Sequence, residues 1–424
     1  MTEYPSAVAS IPGVAWQLTG NHWVALPCVH PEDGSIHAIG LVHRGSRSAI
    51  EFAGGPDFVE GHGPPLLRPT LKINDTVHPL TSDNLVWEQV LNWLPTFTAK
   101  LGRDAYVARG TVFAPVGRDA DVPGAAYVVS IENRTESPAR VEIALEGTLG
   151  HRQERVRVPH AFIDRHRAVA GPGATVLLDG AGLPGTAALA IAAEGEAVVA
   201  IDGAGPAPRF VLKCEAVALP GTTVTAAFHV AAAPERDGAA ATVLAMRRRG
   251  WQSQLNATRE AIRSFEQTTG SAAVDRLVNR NLLFAYFYAS GRAIDDARFY
   301  LVRSRAPWNG RGMTVRDWEA LTWTVPAVQL ADAPLARELI LRGCEIHGGA
   351  PGRGVHYLDG ALFEPGFSLE GAGSFAWAVE RYIRETGDSQ IVEEMVLADT
   401  LYASADDIAA RRHQSMPLYA TEVY

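Results

Sequence analysis

Lysine is almost missing from this chain: only Lys72, Lys100 and Lys213 stand among 38 basic residues, the others being arginine. A GC-rich coding sequence accounts for the bias, together with the abundant Ala and Gly. It still excludes chemistry, because no lysine follows Lys213 and the C-terminal half can hold neither a Schiff-base lysine nor a P-loop. Cysteine is equally scarce. Cys28, Cys214 and Cys344 are far apart and lack metal-ligand spacing, so no disulfide framework is expected and a reducing, cytoplasmic setting is the expectation. The opening residues MTEYPSAVASIPG lack the basic and apolar segments of a signal peptide. No apolar run reaches the ~18 residues of a membrane span. Positive charge is in deficit, with 47 acidic residues giving a net −9, so no nucleic-acid partner is expected. The basic run Arg247–Gly250 reads as a solvated helix face. HExxH, CxxC and GxSxG motifs are absent, and neither a metal nor a cofactor is expected.

What is present divides by period. Over 424 residues, enough for two or three domains, residues 1–240 carry short Val-, Ile- and Thr-rich stretches bounded by Gly, Pro, Asn and Asp. In 126–147 the alternation Val128, Ser130, Glu132 against Val129, Ile131 leads through a turn into a second alternating run. Many short strands predict an antiparallel β-sandwich, or super-sandwich. The exception is 83–95, DNLVWEQVLNWLP, whose apolar residues recur at helical spacing. Gly180, Gly182 and Gly185 match G-x-G-x-x-G, but another strand-like run comes next where a dinucleotide site needs a helix, so a tight turn is expected. Near residue 239 the period lengthens towards 3.6. A mostly polar linker helix is expected over 241–271, and helices near 272–290, 315–331, 333–347, 371–386 and 390–411. Strands followed by helices mean separate β and α domains, 1–240 and 272–424.

The chemistry concentrates in 303–388. Loops there collect Trp308, Arg311, His356, Tyr357, Asp359, Phe363 and Glu364, while Asp317, Glu319 and Glu370 stand at helix starts. Carboxylates, arginine and aromatics without a metal motif suit carbohydrate, whose hydroxyls take bidentate acids and guanidiniums and whose ring faces stack on indoles. Each residue also has a structural reading. Thr314–Asp317 is a capping-box pattern, Ser368 could cap the helix of Glu370, Trp318, Trp323 and Trp377 could be core, and Pro326 would kink its helix or split it in two.

Residues 273–390 resemble the six-hairpin glycosidases, which include glucoamylases, debranching amylo-1,6-glucosidases and inverting disaccharide phosphorylases. The resemblance rests on WNGRGMTVRDWEAL, LADAPLARELILRG and HYLDGALFEPGFSLEGAGSFAWAVERYIRETGD. It implies an (α/α)6 barrel behind a β-sandwich. Arg316 and Asp317 would hold sugar hydroxyls, with Trp308, Arg311, Trp318, His356, Tyr357 and Trp377 lining the pocket. Glu370, where the debranching pattern has Asp, would be the general acid, ahead of Glu364 and Asp359, its carboxyl kept protonated by burial among Phe367, Phe375 and Trp377.

Such a barrel has about twelve helices in the resembling families, whereas this chain offers about five after the linker. The expected architecture is therefore an incomplete toroid: a truncated product, or a half barrel completed by a second chain or a second copy. The expected function is inverting hydrolysis of a glucan-type oligosaccharide, the general base lying outside this chain. Inverting phosphorolysis and non-catalytic carbohydrate binding are the alternatives.

Overall fold

A computed structural model describes residues 17–45, 48–55, 63–117, 121–154, 161–162, 167–179, 187–202, 207–305 and 313–422. The glycine motif at 180–185, Trp308 and Arg311 lie outside the described residues. The chain forms two compact units, the first made of 1–41, 50–154 and 161–262, the second of 42–49, 155–160 and 263–424.

The first unit is built on antiparallel sheets. An eight-stranded sheet has the hairpin Leu85–Val90 and Leu94–Leu101 at one edge and Gly124–Asn133 beside Thr223–Ala233 near its middle. A five-stranded sheet centres on Ala139–Thr148, paired in register with Arg209–Ala218 and Arg68–Ile73. The alternation read at 126–147 is therefore real, and 83–95 is corrected: it is strand, turn and strand, not helix. Its apolar residues satisfy either period, and cross-strand partners decide between them. Leu85 pairs Ala99, Trp87 pairs Phe97 with its ring edge-on at 5.3 Å, and Leu91–Asn92 take positive φ in the connecting turn. Two successive positive φ angles match the right-handed twist of a hairpin.

The pattern expected as one linker helix is two helices, α1 (Arg236–Arg249) and α2 (Trp251–Ser264), broken at Gly250, whose φ of 79° suits glycine. Ala239, Val243 and Met246 of α1 pack on Leu177, Ala188, Ala190, Ala192, Ala231 and Ala233. Alanines on the sheet face let the helix approach closely, and full burial of a side chain such as Val243 stabilises by about 1.5–3 kcal/mol. Arg248 and Arg249 are exposed, as expected for the basic run, while Arg247 bonds the carbonyls of Gly173 and Gly195.

The second unit carries α3 (Ala272–Tyr288), α4 (Asp317–Glu319), α5 (Val325–Ala331), α6 (Ala333–His347), α7 (Leu369–Thr386) and α8 (Met395–Ala409). Leu335, Ala336, Leu339, Ile340, Gly343, Cys344 and His347 form one buried stripe on α6, which packs against α5, α7 and α8. Asp332 caps α6 through Leu335 N–H at 2.9 Å, and Ser368 caps α7 through Gly371 N–H at 2.9 Å. The span expected as one helix at 315–331 is composite. A strand, Thr314–Arg316, runs into α4, then a π-helical turn, Ala320–Thr324, then α5, with Pro326 in the first turn of the last piece. Proline lacks a backbone donor and is tolerated where a helix begins.

Candidate functional site

Thr314–Arg316 pairs with Val355–Tyr357, setting Val315 opposite His356, and Val355–Tyr357 pairs with Leu362–Glu364. This small sheet positions two kinds of side chain. Towards the interior, Asp317 is only 2% exposed. Its Oδ2 accepts from Gly352 N–H at 2.9 Å, whereas its Oδ1 has no hydrogen-bond partner among the described residues and lies 3.9 Å from His356 Nε2. The capping-box reading of Thr314–Asp317 is therefore set aside, since no side chain caps α4 and the carboxylate points instead to the 350–354 loop.

His347, ending the buried stripe of α6, brings its ring centroid to 4.5 Å from that of His356. Burial raises the Asp317 carboxyl to about 7, opposed by the Gly352 hydrogen bond. Burial lowers both histidines, and His356 lowers His347 further. Cys344, also buried, is pushed up to about 12 by desolvation. Asp317, His347 and His356 each bring one ligand-capable atom within 4.8 Å of those of the other two.

Towards the surface, Val302, Arg303, Val315, Arg316, Glu319 and Trp323 line a small open cleft of about 200 Å³, below the roughly 300–1,000 Å³ of small-ligand sites. Glu319 accepts from Arg303 at 2.9 Å and approaches Arg316 at 3.5 Å. Trp323 is 61% exposed and meets the Trp318 ring edge-on at 4.8 Å. The π turn puts this indole on the cleft. Such turns are rare and recur at functional sites.

The structure scatters the other residues singled out in the sequence. Glu370 is exposed and accepts from Ser368 Oγ at 2.9 Å, so the burial expected for it is absent; buried Asp317 has that property instead. Phe367 and Phe375 are buried, while Trp377 is 40% exposed with the Arg381 guanidinium 5.5 Å from its ring centroid. Asp359 is half-buried in the turn before Leu362–Glu364, accepting from Ala361 N–H at 3.1 Å, and Glu364 is half-buried on that strand. Tyr357 is buried against Phe363 at 5.2 Å. Gly352 links two of these places, donating to Asp317 and accepting from Ser368 N–H at 2.8 Å.

Sequence reasoning missed His347 and Arg303, left Trp323 open between core and site, and read Glu319 only as a helix-start acid. The signal for His347 is its place at the end of an otherwise apolar helical stripe.

No protein-family model and no curated protein sequence matches this chain. Its fold is similar to that of solved carbohydrate-active enzymes. Against a protein assigned as a kojibiose phosphorylase, from the human microbiome, the TM-score is 0.59 at 11% identity, covering 91% of this chain and 56% of the other. Against a bacterial glucoamylase complexed with acarbose it is 0.54 at 9% identity, covering 94% and 59%. These likenesses define a glycosidase-type fold. The chain spans less than two thirds of the length of either neighbour.

Proposed function

We propose that this chain is a carbohydrate-processing enzyme, a super-sandwich followed by the first part of an α/α toroid, that hydrolyses O-glycosyl bonds of glucan-type oligosaccharides with inversion. The observation that carries the reading is the cleft in which Arg303, Glu319 and Arg316 form one ion-paired row beside the exposed indole of Trp323. Guanidinium and carboxylate present donors and acceptors to vicinal hydroxyls, and the indole stacks on a sugar face. The fold likeness to a glucoamylase and to a protein assigned as a phosphorylase is consistent with it.

On this proposal Arg316 and Trp318 belong to the sugar site directly. Asp317, His356 and Tyr357 support it from the buried side. Glu370 donates the proton to the leaving oxygen, with Glu364 and Asp359 as the next candidates. The carboxylate that activates water lies outside residues 1–424, whether on further sequence, a second chain or a second copy.

Calorimetric titration with maltooligosaccharides tests the binding half. Wild type should bind, and Trp323→Ala and Glu319→Gln should bind at least about tenfold more weakly, ~1.4 kcal/mol. Glu370→Gln should keep the affinity and, in the assembly that supplies the water-activating carboxylate, abolish product release. Absence of binding to any glucan oligosaccharide would remove the reading. Phosphorolysis is the second reading, supported by two guanidiniums sharing a single carboxylate in the cleft. Release of a sugar 1-phosphate only when inorganic phosphate is present would establish it over hydrolysis.

A further inference from the structure

We propose that Asp317, His347 and His356 form a binding site for a divalent first-row transition metal of the zinc class. The inference does not rest on the carbohydrate reading, and it goes against the expectation of no metal drawn from the motifs.

Among the described residues, three buried polar atoms in one place have no hydrogen-bond partner: Asp317 Oδ1, His347 Nδ1 and His356 Nε2. A buried carboxylate oxygen without a partner costs several kcal/mol unless something positive meets it. The direct alternative, a hydrogen bond from His356 to Asp317, is not made, since 3.9 Å is beyond hydrogen-bond range. A single dication would satisfy a ligand atom from each residue at once. One ligand atom from each of the three residues lies within 4.8 Å of the other two. Around a tetrahedral ion with bonds of about 2.0–2.1 Å, ligand atoms stand roughly 3.4 Å apart. Small side-chain rotations therefore close the gap.

The surroundings are those of ligands already aimed. His356 Nδ1 lies 3.5 Å from the Gly360 carbonyl, an arrangement that places the proton on Nδ1 and leaves the Nε2 lone pair available. Asp317 Oδ2 is held by Gly352 N–H, which orients the other oxygen. The three ligands come from α4, the end of α6 and the strand Val355–Tyr357, so the ion would join three elements distant in sequence. A small pocket lined by Tyr300, Val315, Arg342 and His347 leaves room for about one water molecule beside His347. Two imidazoles and one carboxylate select zinc-like ions over Mg²⁺ and Ca²⁺, which take oxygen ligands throughout.

The test uses tag-free full chain, stripped with chelator and titrated separately with Zn²⁺, Co²⁺ and Ca²⁺. About one equivalent of Zn²⁺ should bind and raise the melting temperature. Co²⁺ should give visible d–d absorption without a near-ultraviolet thiolate band. His347→Gln and His356→Gln should each weaken Zn²⁺ binding by more than the roughly 10–100-fold that loss of an outer-shell partner costs. Circular dichroism of the stripped variants checks that they fold, and the wild-type Co²⁺ spectrum decides the matter even where one does not. Substoichiometric binding, a thiolate band, preference for Ca²⁺, or unchanged affinity in folded variants would each overturn the site.

Discussion

Each unit of the molecule buries a histidine beside a carboxylate, and the two pairs behave in opposite ways. In the β unit, His229 Nε2 meets Glu194 at 2.9 Å, and Glu194 also accepts from Trp251 N–H at 2.8 Å. Burial pushes this carboxyl up, but the hydrogen bonds from His229 and Trp251 outweigh it and leave it below its ordinary value. In the helical unit, His356 stands 3.9 Å from Asp317, one N–H serves the carboxylate, and desolvation wins. The first pair is a completed structural bond joining the strands to the start of α2. The second is an incomplete arrangement, fit to receive something. The number of hydrogen bonds made to the charged form, and not burial alone, separates them.

The largest effect should come from Gly352→Ala. A Cβ there would stand 2.6 Å from Ala372 N and 2.7 Å from Ser368 O at a φ of +70°. The backbone must shift, and Asp317 loses the hydrogen bond it accepts from Gly352 N–H. A loss of more than about 4 kcal/mol, or failure to accumulate soluble protein, is expected in urea unfolding. A fully stable variant would show the incomplete pair to be indifferent to its support.

Next in size is Asp317→Asn in chelated protein. With a native value near 7 against 3.8 when unfolded, the unfolded chain ionises first. The contribution of Asp317 is whole below about pH 4 and is lost as pH rises through about 7, on the order of 4 kcal/mol in total. Asparagine should flatten that decline and leave the variant more stable than wild type at about pH 8, read from denaturation midpoints. A parallel decline in both proteins would place the cause elsewhere.

Trp323→Ala sharpens the contrast from the solvent side. Its indole is mostly exposed, so stability should change by less than about 0.5 kcal/mol while glycan affinity falls about tenfold. A large drop in melting temperature would make it a packing residue after all. The smallest effect belongs to Glu194→Gln. The lowered Glu194 contributes stability above the unfolded value near 4.5, and that contribution disappears as pH falls through its native value. The variant should therefore show a shallower acid limb and little change at neutral pH.

The strands were legible wherever alternation was flanked by turn residues, as at 126–147, and the helices wherever an apolar stripe ran for ten or more residues, as at 333–347. Reading failed where one sequence satisfies two periods and only distant partners choose between them. Leu85–Val90 depends on Ala99 and Phe97 across a hairpin. Gly250 split a helix whose side-chain pattern continued through it. The site was only half legible. Arg316, Asp317 and His356 stand out as polar residues in a suggestive stretch, but which acid is buried depends on the direction taken at the end of a three-residue strand. Glu370 and Asp317 both begin helices, yet one faces solvent and the other the core. His347, thirty residues from Asp317 and nine from His356, fits no local ligand motif.

The π turn at Ala320–Thr324 carries a consequence of another kind. It holds one residue more per turn than the α-helix on its C-terminal side, so it takes up an extra residue while the pieces on either side keep their phase. Deleting a single residue within it should therefore restore a continuous helix with α4 and α5 in their present orientation, leaving Glu319 on Arg303 and Asp317 on Gly352. The same deletion within α5 would instead turn everything before it by about 100°. The bulge is thus the one place in this helix where chain length can change without moving both the cleft and the buried triad.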